Sequence, residues 1–216
     1  MEKEKIVIQR INGQKFFEKW DEVAVEQQMA IWLSDGTEIS VTCTPRDIDE
    51  MIAARKFLAG DSDTEELQRY CEALKDVNPL EEVSLEEIFA IARDSFENPG
   101  QLFVETGCAH SCALIHKGKT VCCMEDIGRH NALDKIIGYA IIHQIPMKEC
   151  YVFTSGRISG DYLQKVITAG FPMAVSRAAV TDQAVKLAKE HHITMLGFIR
   201  KNAGNLYNEG AVKIVH

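Results

Sequence analysis

The chain has 216 residues, 46% of them hydrophobic and 26% charged, with 24 Lys+Arg against 32 Asp+Glu and a formal net charge of −8. This composition excludes a disordered or fibrous chain, and the acidic balance excludes a general polyanion binder, so nucleic acid is not an expected partner. The charge is uneven: residues 1–100 carry 11 basic and 23 acidic side chains and residues 101–216 carry 13 and 9, so the second half can attract an anion that the first half would repel.

No stretch approaches the roughly 18 uninterrupted apolar residues of a membrane span, and the start MEKEKIVIQR has no apolar segment behind its charges. A cytoplasmic location without a membrane partner is the expectation. The seven cysteines, Cys43, Cys71, Cys108, Cys112, Cys122, Cys123 and Cys150, form an odd set in a long chain and do not read as a secreted disulfide framework.

In chain order, residues 22–44 place apolar runs on either side of Asp35-Gly36, which predicts a β-hairpin with Ile39, Val41 and Cys43 on one face. Thr44-Pro45 then reads as a helix start, with Ile48, Met51 and Ile52 at helical spacing and Gly60 as the stop. An acidic segment around GDSDT follows, with a short helix from Thr64 to Lys75 carrying Leu67, Tyr70, Cys71 and Leu74 on one side. Ser84 with Glu87 forms a capping box for the next helix, which Asn98-Pro99-Gly100 ends. A second hairpin spans CALI, His116-Lys117-Gly118-Lys119 and TVCCM, and a helix runs through NALDKIIGYAII. CYVFT, GDYLQKVITAG, PMAVS, DQAVKLAKEHH and ITMLGFI then alternate as βαβαβ, which implies parallel strands whose ligands sit beyond the strand carboxyl ends. The segments there, TSGRIS, SRAAVT and RKNAGN, carry Arg157, Arg177 and Arg200 with Lys201. The expected class is α/β, with a mixed sheet, a hairpin and helix region over residues 1–83 and a core over 84–216.

Thr106-Gly107-Cys108-Ala109-His110-Ser111-Cys112 is the densest reactive cluster. Gly107 permits a turn that exposes the thiol, and His110 two residues away can favour the thiolate of Cys108, the form that attacks or carries sulfur; a small thiol packed at a turn is the competing reading. Cys108, His110 and Cys112 also offer three zinc ligands. The spacing is not CxxC, adjacent Cys122 and Cys123 face opposite sides of a strand, and the H-x-E with P-C-x-x-C pattern of zinc deaminases is missing, so no metal is expected. Glu125 to Lys135 runs off a strand into a helix start, where Gly128 lets a ligand approach and Arg129 offers a donor fork; the alternative is that Asp126 and Asn131 are caps and Arg129 pairs with Glu125 or Asp126. Thr154-Ser155-Gly156-Arg157-Ile158-Ser159-Gly160 suits an anion at a strand end, or is a plain solvated loop. It lacks the P-loop spacing.

Together and in order, TGCAH, EDIGRHNALDKIIG, SGRISGDYLQKVITAGFP and LGFIRKNAGNLYN closely resemble the formate dehydrogenase accessory sulfur carrier family, FdhD, and the likeness extends upstream to DEVAVEQQMAIWL and TPRDIDEMIAARKFLAG. The resemblance implies a cytidine-deaminase-like α/β core without the deaminase zinc site. It also implies sulfur delivery from a cysteine desulfurase to the bis-molybdopterin guanine dinucleotide molybdenum cofactor, bound transiently before formate dehydrogenase or a related molybdoenzyme takes it up. Gly107, Arg129, His130, Ser155, Gly156 and Arg157 would line the cofactor pocket, with Thr106, His110, Asn131 and Ser159 in the same motifs. The stretch after the last parallel strand, Phe198, Ile199, Arg200, Lys201, Asn202 and Ala203, would add further contacts. A homodimer is expected. One departure stands out: the family's C-G-x-C-G loop, which bears its persulfide cysteines, is replaced by GDSDTEELQRYCEAL, in which Cys71 is alone. Sulfur would then be carried by Cys108, with Cys112 as a resolving thiol. The alternative is a diverged member that binds the cofactor or a guanine nucleotide without carrying sulfur, and a redox sensor using Cys108 and Cys112 is a third reading.

Overall fold

The computed structural model describes residues 2–74 and 77–216. A ribbon of two long strands, β1 (Lys3–Asn12) and β2 (Lys15–Ala24), comes first, and a second hairpin follows in β3 (Gln27–Trp32) and β4 (Glu38–Cys43). Helices α1 (Ile48–Leu58), α2 (Glu65–Ala73), α3 (Leu85–Glu97) and α4 (Gln101–Thr106) precede the main sheet, with strand β5 (Glu82–Ser84) leading into α3. Then come β6 (His110–His116), β7 (Lys119–Asp126), α5 (Arg129–Ile142), β8 (Cys150–Thr154), α6 (Gly160–Ala169), β9 (Met173–Ser176), α7 (Asp182–Glu190), β10 (Thr194–Arg200), β11 (Ala203–Asn208) and β12 (Lys213–Val215).

Six strands form one mixed sheet in the order β11-β10-β9-β8-β6-β7; β8, β9 and β10 run parallel and β6, β7 and β11 pair antiparallel. Period-two alternation divides the core between its faces. Cys112, Leu114, Cys150, Val152, Ala174 and Met195 join the core formed with α1, α2, α5, α6 and α7. Ala113, Ile115, Tyr151, Phe153, Met173, Val175 and Leu196 point the other way, against Ile88, Ile91 and Ala92 of α3. Both faces are covered, which explains why β8 and β9 are continuously apolar.

Most expected elements are present, with three differences. Thr44-Pro45 does not start a helix: α1 begins at Ile48 behind Asp47 in the left-handed region (φ 52°), and Thr44 is buried, bonded through its N–H and hydroxyl to Asp126. The α2 helix has its N-cap at Thr64, whose side chain accepts from Leu67 N–H, but Cys71 is exposed while Leu67 and Tyr70 are buried; Lys75, the expected end, lies outside the described residues. The ribbon β1–β2 is the third difference. Its strands have no buried face, so the alternation of KEKIVIQRIN and KFFEKWDEVA mixes apolar with charged residues on both sides and gives no clear strand pattern. Its two-residue turn at Gly13, with φ 62°, fits the type II′ pattern.

Candidate functional site

The site is built at the end of the sheet where β8, β9 and β10 finish. Because β6 is antiparallel to β8, its first residues lie beside Thr154 and Ser155: Ser111 N–H donates to Ser155 Oγ at 2.9 Å and Ser155 N–H to Ser111 carbonyl at 3.0 Å. Asp126 at the end of β7 pairs with His110 at the start of β6. Three motifs that are far apart in the chain therefore meet at one edge.

Helix α4 aims the thiol. Its first N–H groups are held by a carboxylate from the sheet, with Leu102 and Phe103 N–H each donating to Glu125 at 2.9 Å. Gly100 leaves room for that carboxylate, since a Cβ there would collide with it. At the other end Thr106 Oγ1 donates to Leu102 carbonyl at 2.7 Å and accepts from Cys108 N–H at 3.1 Å, while Gly107 turns the chain out of the helix at φ 68°. Cys108 is left exposed. It shares a cavity of about 370 Å³ with Ser95, Phe103, His110, Ser155 and Arg177, within the usual size range of small-molecule sites.

His110 is half-buried, and burial, followed by the nearby Arg129 and Arg157 cations, holds its pKa below the ordinary value. His130, edge-on to Tyr162 with Nε2 3.0 Å from Asp161 Oδ2, is shifted in the same direction, first by burial. Both shifts favour the neutral imidazole. A histidine of lowered folded pKa stabilises the fold above its unfolded value near 6.5 and loses that contribution as pH falls through the folded value. Urea midpoints should decline as pH falls below about 6.5, and a smaller decline is expected in His110→Gln.

The remaining expected residues fall into two groups. Arg129 donates through Nη2 to Ser159 Oγ at 3.3 Å, and its Nε has no partner among the described residues; Gly156 packs against its side chain and is fixed by Thr154 Oγ1 and Ser176 Oγ. Arg157 is exposed beside them. Arg200 and Lys201 line a second concavity of about 460 Å³ with Ala92, Phe96 and Arg177. Phe198 is exposed at a bulge in β10, with φ 54° and its N–H bonded to Ala178 carbonyl.

Others do not join the site. Cys112, expected as a resolving thiol, is instead a core side chain: it is fully buried, 3.5 Å from the Tyr162 hydroxyl, and burial raises its pKa far above the thiol range. Ile199 is likewise packed in the core, at 1% exposure. Asn131 is consumed by structure, donating to Thr42 carbonyl and Asp126 and accepting from Arg55. Asn202 accepts from Arg93 at 2.7 Å, and Ala203 pairs with Arg200 across the β10–β11 turn. Among the described residues no group of three His, Cys, Asp or Glu side chains is arranged to hold a metal ion, and no helix is long and apolar enough to cross a membrane.

The site gains Arg177, whose guanidinium lies 5.5 Å from the Phe96 ring centre and whose carbonyl accepts from Arg200 Nε. It is the wall between the two concavities. Its place after a parallel strand was the available signal; the Phe96 partner, from a helix eighty residues earlier, left none.

The FdhD/NarQ family model matches residues 54–213. Protein FdhD of Methanocaldococcus jannaschii is 30% identical, over 95% of this chain and 96% of that protein. The sulfur carrier protein FdhD of Bacillus pumilus is 42% identical over 113 residues, which are 52% of this chain but only 43% of the relative's length. A crystal structure described as a putative formate dehydrogenase accessory protein from Desulfotalea psychrophila superposes with a TM-score of 0.79 at 26% identity, covering 95% of this chain and 96% of that one. The chain belongs to the FdhD/NarQ family.

Proposed function

We propose that this protein serves formate dehydrogenase by taking sulfur from a cysteine desulfurase, holding it as a persulfide on Cys108, and delivering it in the cytoplasm to the bis-molybdopterin guanine dinucleotide cofactor. The observation that carries this reading is the placement of one exposed thiol, Cys108, at a cavity shared with His110, Ser155 and Arg177. In the loading step the Cys108 thiolate attacks the terminal sulfur of the desulfurase persulfide. The new S–S bond forms on Cys108, the old one breaks, and the desulfurase cysteine leaves as thiolate, so no outside oxidant or reductant is needed. His110, which lines the same cavity, is the proposed acceptor of the thiol proton.

The anionic cofactor suits the basic rim. Arg177 joins both concavities, and Arg129, Arg157, Arg200 and Lys201 supply further positive charge for phosphate groups. GDP is a usable probe of this part of the ligand. Arg177→Ala should weaken GDP binding by about 10- to 100-fold, the range for losing a charge-assisted hydrogen bond. Titration calorimetry would read it, and unchanged affinity would separate Arg177 from the ligand.

A second reading has one observation in its favour. Helix α2 occupies the interval of the family's C-G-x-C-G loop, and its Cys71 stands without a neighbouring thiol in the sequence. In that reading the chain binds the cofactor and carries no sulfur. GDP binding without persulfide on any cysteine is its expected mark.

A further inference from the structure

The cavity at Cys108 has a property that delivery by a protein donor does not require: it sets an anion site in front of a nucleophile. The polar side chains that line it are the Cys108 thiol, the His110 imidazole, the hydroxyls of Ser95, Ser111 and Ser155, and the Arg177 guanidinium, with no carboxylate among them. Ser155 Oγ accepts from Ser111 N–H at 2.9 Å and keeps its own proton to donate. Glu125, behind Gly100, is engaged by the first N–H groups of α4. Arg177 rests on the Phe96 ring at 5.5 Å and forms no ion pair among the described residues, so its charge is available to a ligand. A small anion occupies only part of the 370 Å³ and can lie against the thiol.

We propose that Cys108 also takes sulfur directly from a small inorganic sulfane-sulfur dianion, thiosulfate, held in this cavity by Arg177 and the serine hydroxyls. The inference rests on the assignment of Cys108 as the sulfur carrier. After the thiol proton passes to His110, the Cys108 thiolate attacks the outer sulfur of thiosulfate. A new S–S bond forms on Cys108, the S–S bond of thiosulfate breaks, and its electron pair leaves with sulfite. Cys108 then carries a persulfide, the same product that a desulfurase would leave there, and no outside oxidant or reductant enters. Arg177 and the hydroxyls donate to the sulfonate oxygens, turn the outer sulfur toward Cys108 and stabilise the charge that gathers on the departing sulfite. A donor of this kind needs no docking surface, only the cation and the hydroxyl donors that the cavity holds beside the thiol.

The test incubates the reduced full chain with thiosulfate alone and, in parallel, with a cysteine desulfurase and cysteine. Peptide mass spectrometry reads the persulfide and a colorimetric assay reads sulfite. Thiosulfate is expected to add one sulfur atom to the Cys108 peptide for each sulfite released. The loading rate should fall about 10- to 100-fold in Arg177→Ala, the range for losing a charge-assisted hydrogen bond, recover in part in Arg177→Lys, which restores the cation, and vanish in Cys108→Ser. Loading by the desulfurase but not by thiosulfate would overturn this inference and leave the carrier assignment standing, whereas loading by neither would overturn both. Thiosulfate sulfur found on another cysteine, or a rate indifferent to Arg177→Ala, would also overturn it.

Discussion

Replacing Lys135 with Met should destabilise the protein by about 3–5 kcal/mol, the cost of breaking a buried ion pair from one side. Lys135 and Asp126 are both fully buried and lie 2.8 Å apart. The ammonium also reaches Thr44 Oγ1 at 3.1 Å, Thr44 carbonyl at 3.4 Å and Glu125 carbonyl at 3.2 Å. The Asp126 carboxylate accepts from Thr44 N–H and hydroxyl, Gly128 N–H and Asn131 Nδ2. Met fills a similar volume but leaves that fully buried carboxylate without its cation. Against a total of about 5–15 kcal/mol for a typical domain, the loss is large enough to shift the urea midpoint sharply or to prevent folding. Adding Asp126→Leu should recover part of it, because removing both charges is far less costly than stranding one. An unchanged midpoint in Lys135→Met would contradict the assignment. The pair also has a bearing on the site, since it joins Thr44 after β4 to the end of β7, next to the Glu125 that positions α4 and, through it, Cys108.

This network shows which parts of the molecule are legible in sequence. The βαβαβ half is readable because each strand is short and apolar and each helix carries a boundary signal, Thr181 accepting from Ala184 N–H before α7 and Gly170 at φ 85° after α6. Adjacent Cys122 and Cys123 indeed divide, Cys122 packed against the core and Cys123 exposed. What pattern cannot reveal is the partner of a polar residue distant in the chain. Asn131 reads as a cofactor contact or a cap and Asp126 as a cap or a partner of Arg129, but Thr42 and Thr44, more than eighty residues earlier, bond both of them and Lys135. Glu125 looks like a partner for Arg129 and instead caps α4, a helix of six residues that is too short to register as a period. Proximity in sequence groups Cys112 with Cys108, but strand alternation from His110 onward carries it into the core.

Cys108→Ser should abolish persulfide formation with little effect on stability, because the side chain is exposed at the C-terminal end of α4 and its hydrogen-bonded backbone is retained. Serine keeps the size of the side chain and removes the sulfur nucleophile, so GDP affinity should persist while sulfur transfer fails. Labelling with a persulfide-selective reagent, after incubation with a cysteine desulfurase and cysteine, separates the two effects.

The most direct measurement is native mass spectrometry of the protein isolated from cells with an active cysteine desulfurase, followed by peptide mapping. The account predicts a species one sulfur atom heavier, with the added sulfur on the peptide containing Cys108, together with bound guanine dinucleotide cofactor. Sulfur located on Cys71 or any other cysteine, or a bound cofactor with no added sulfur at all, would contradict it.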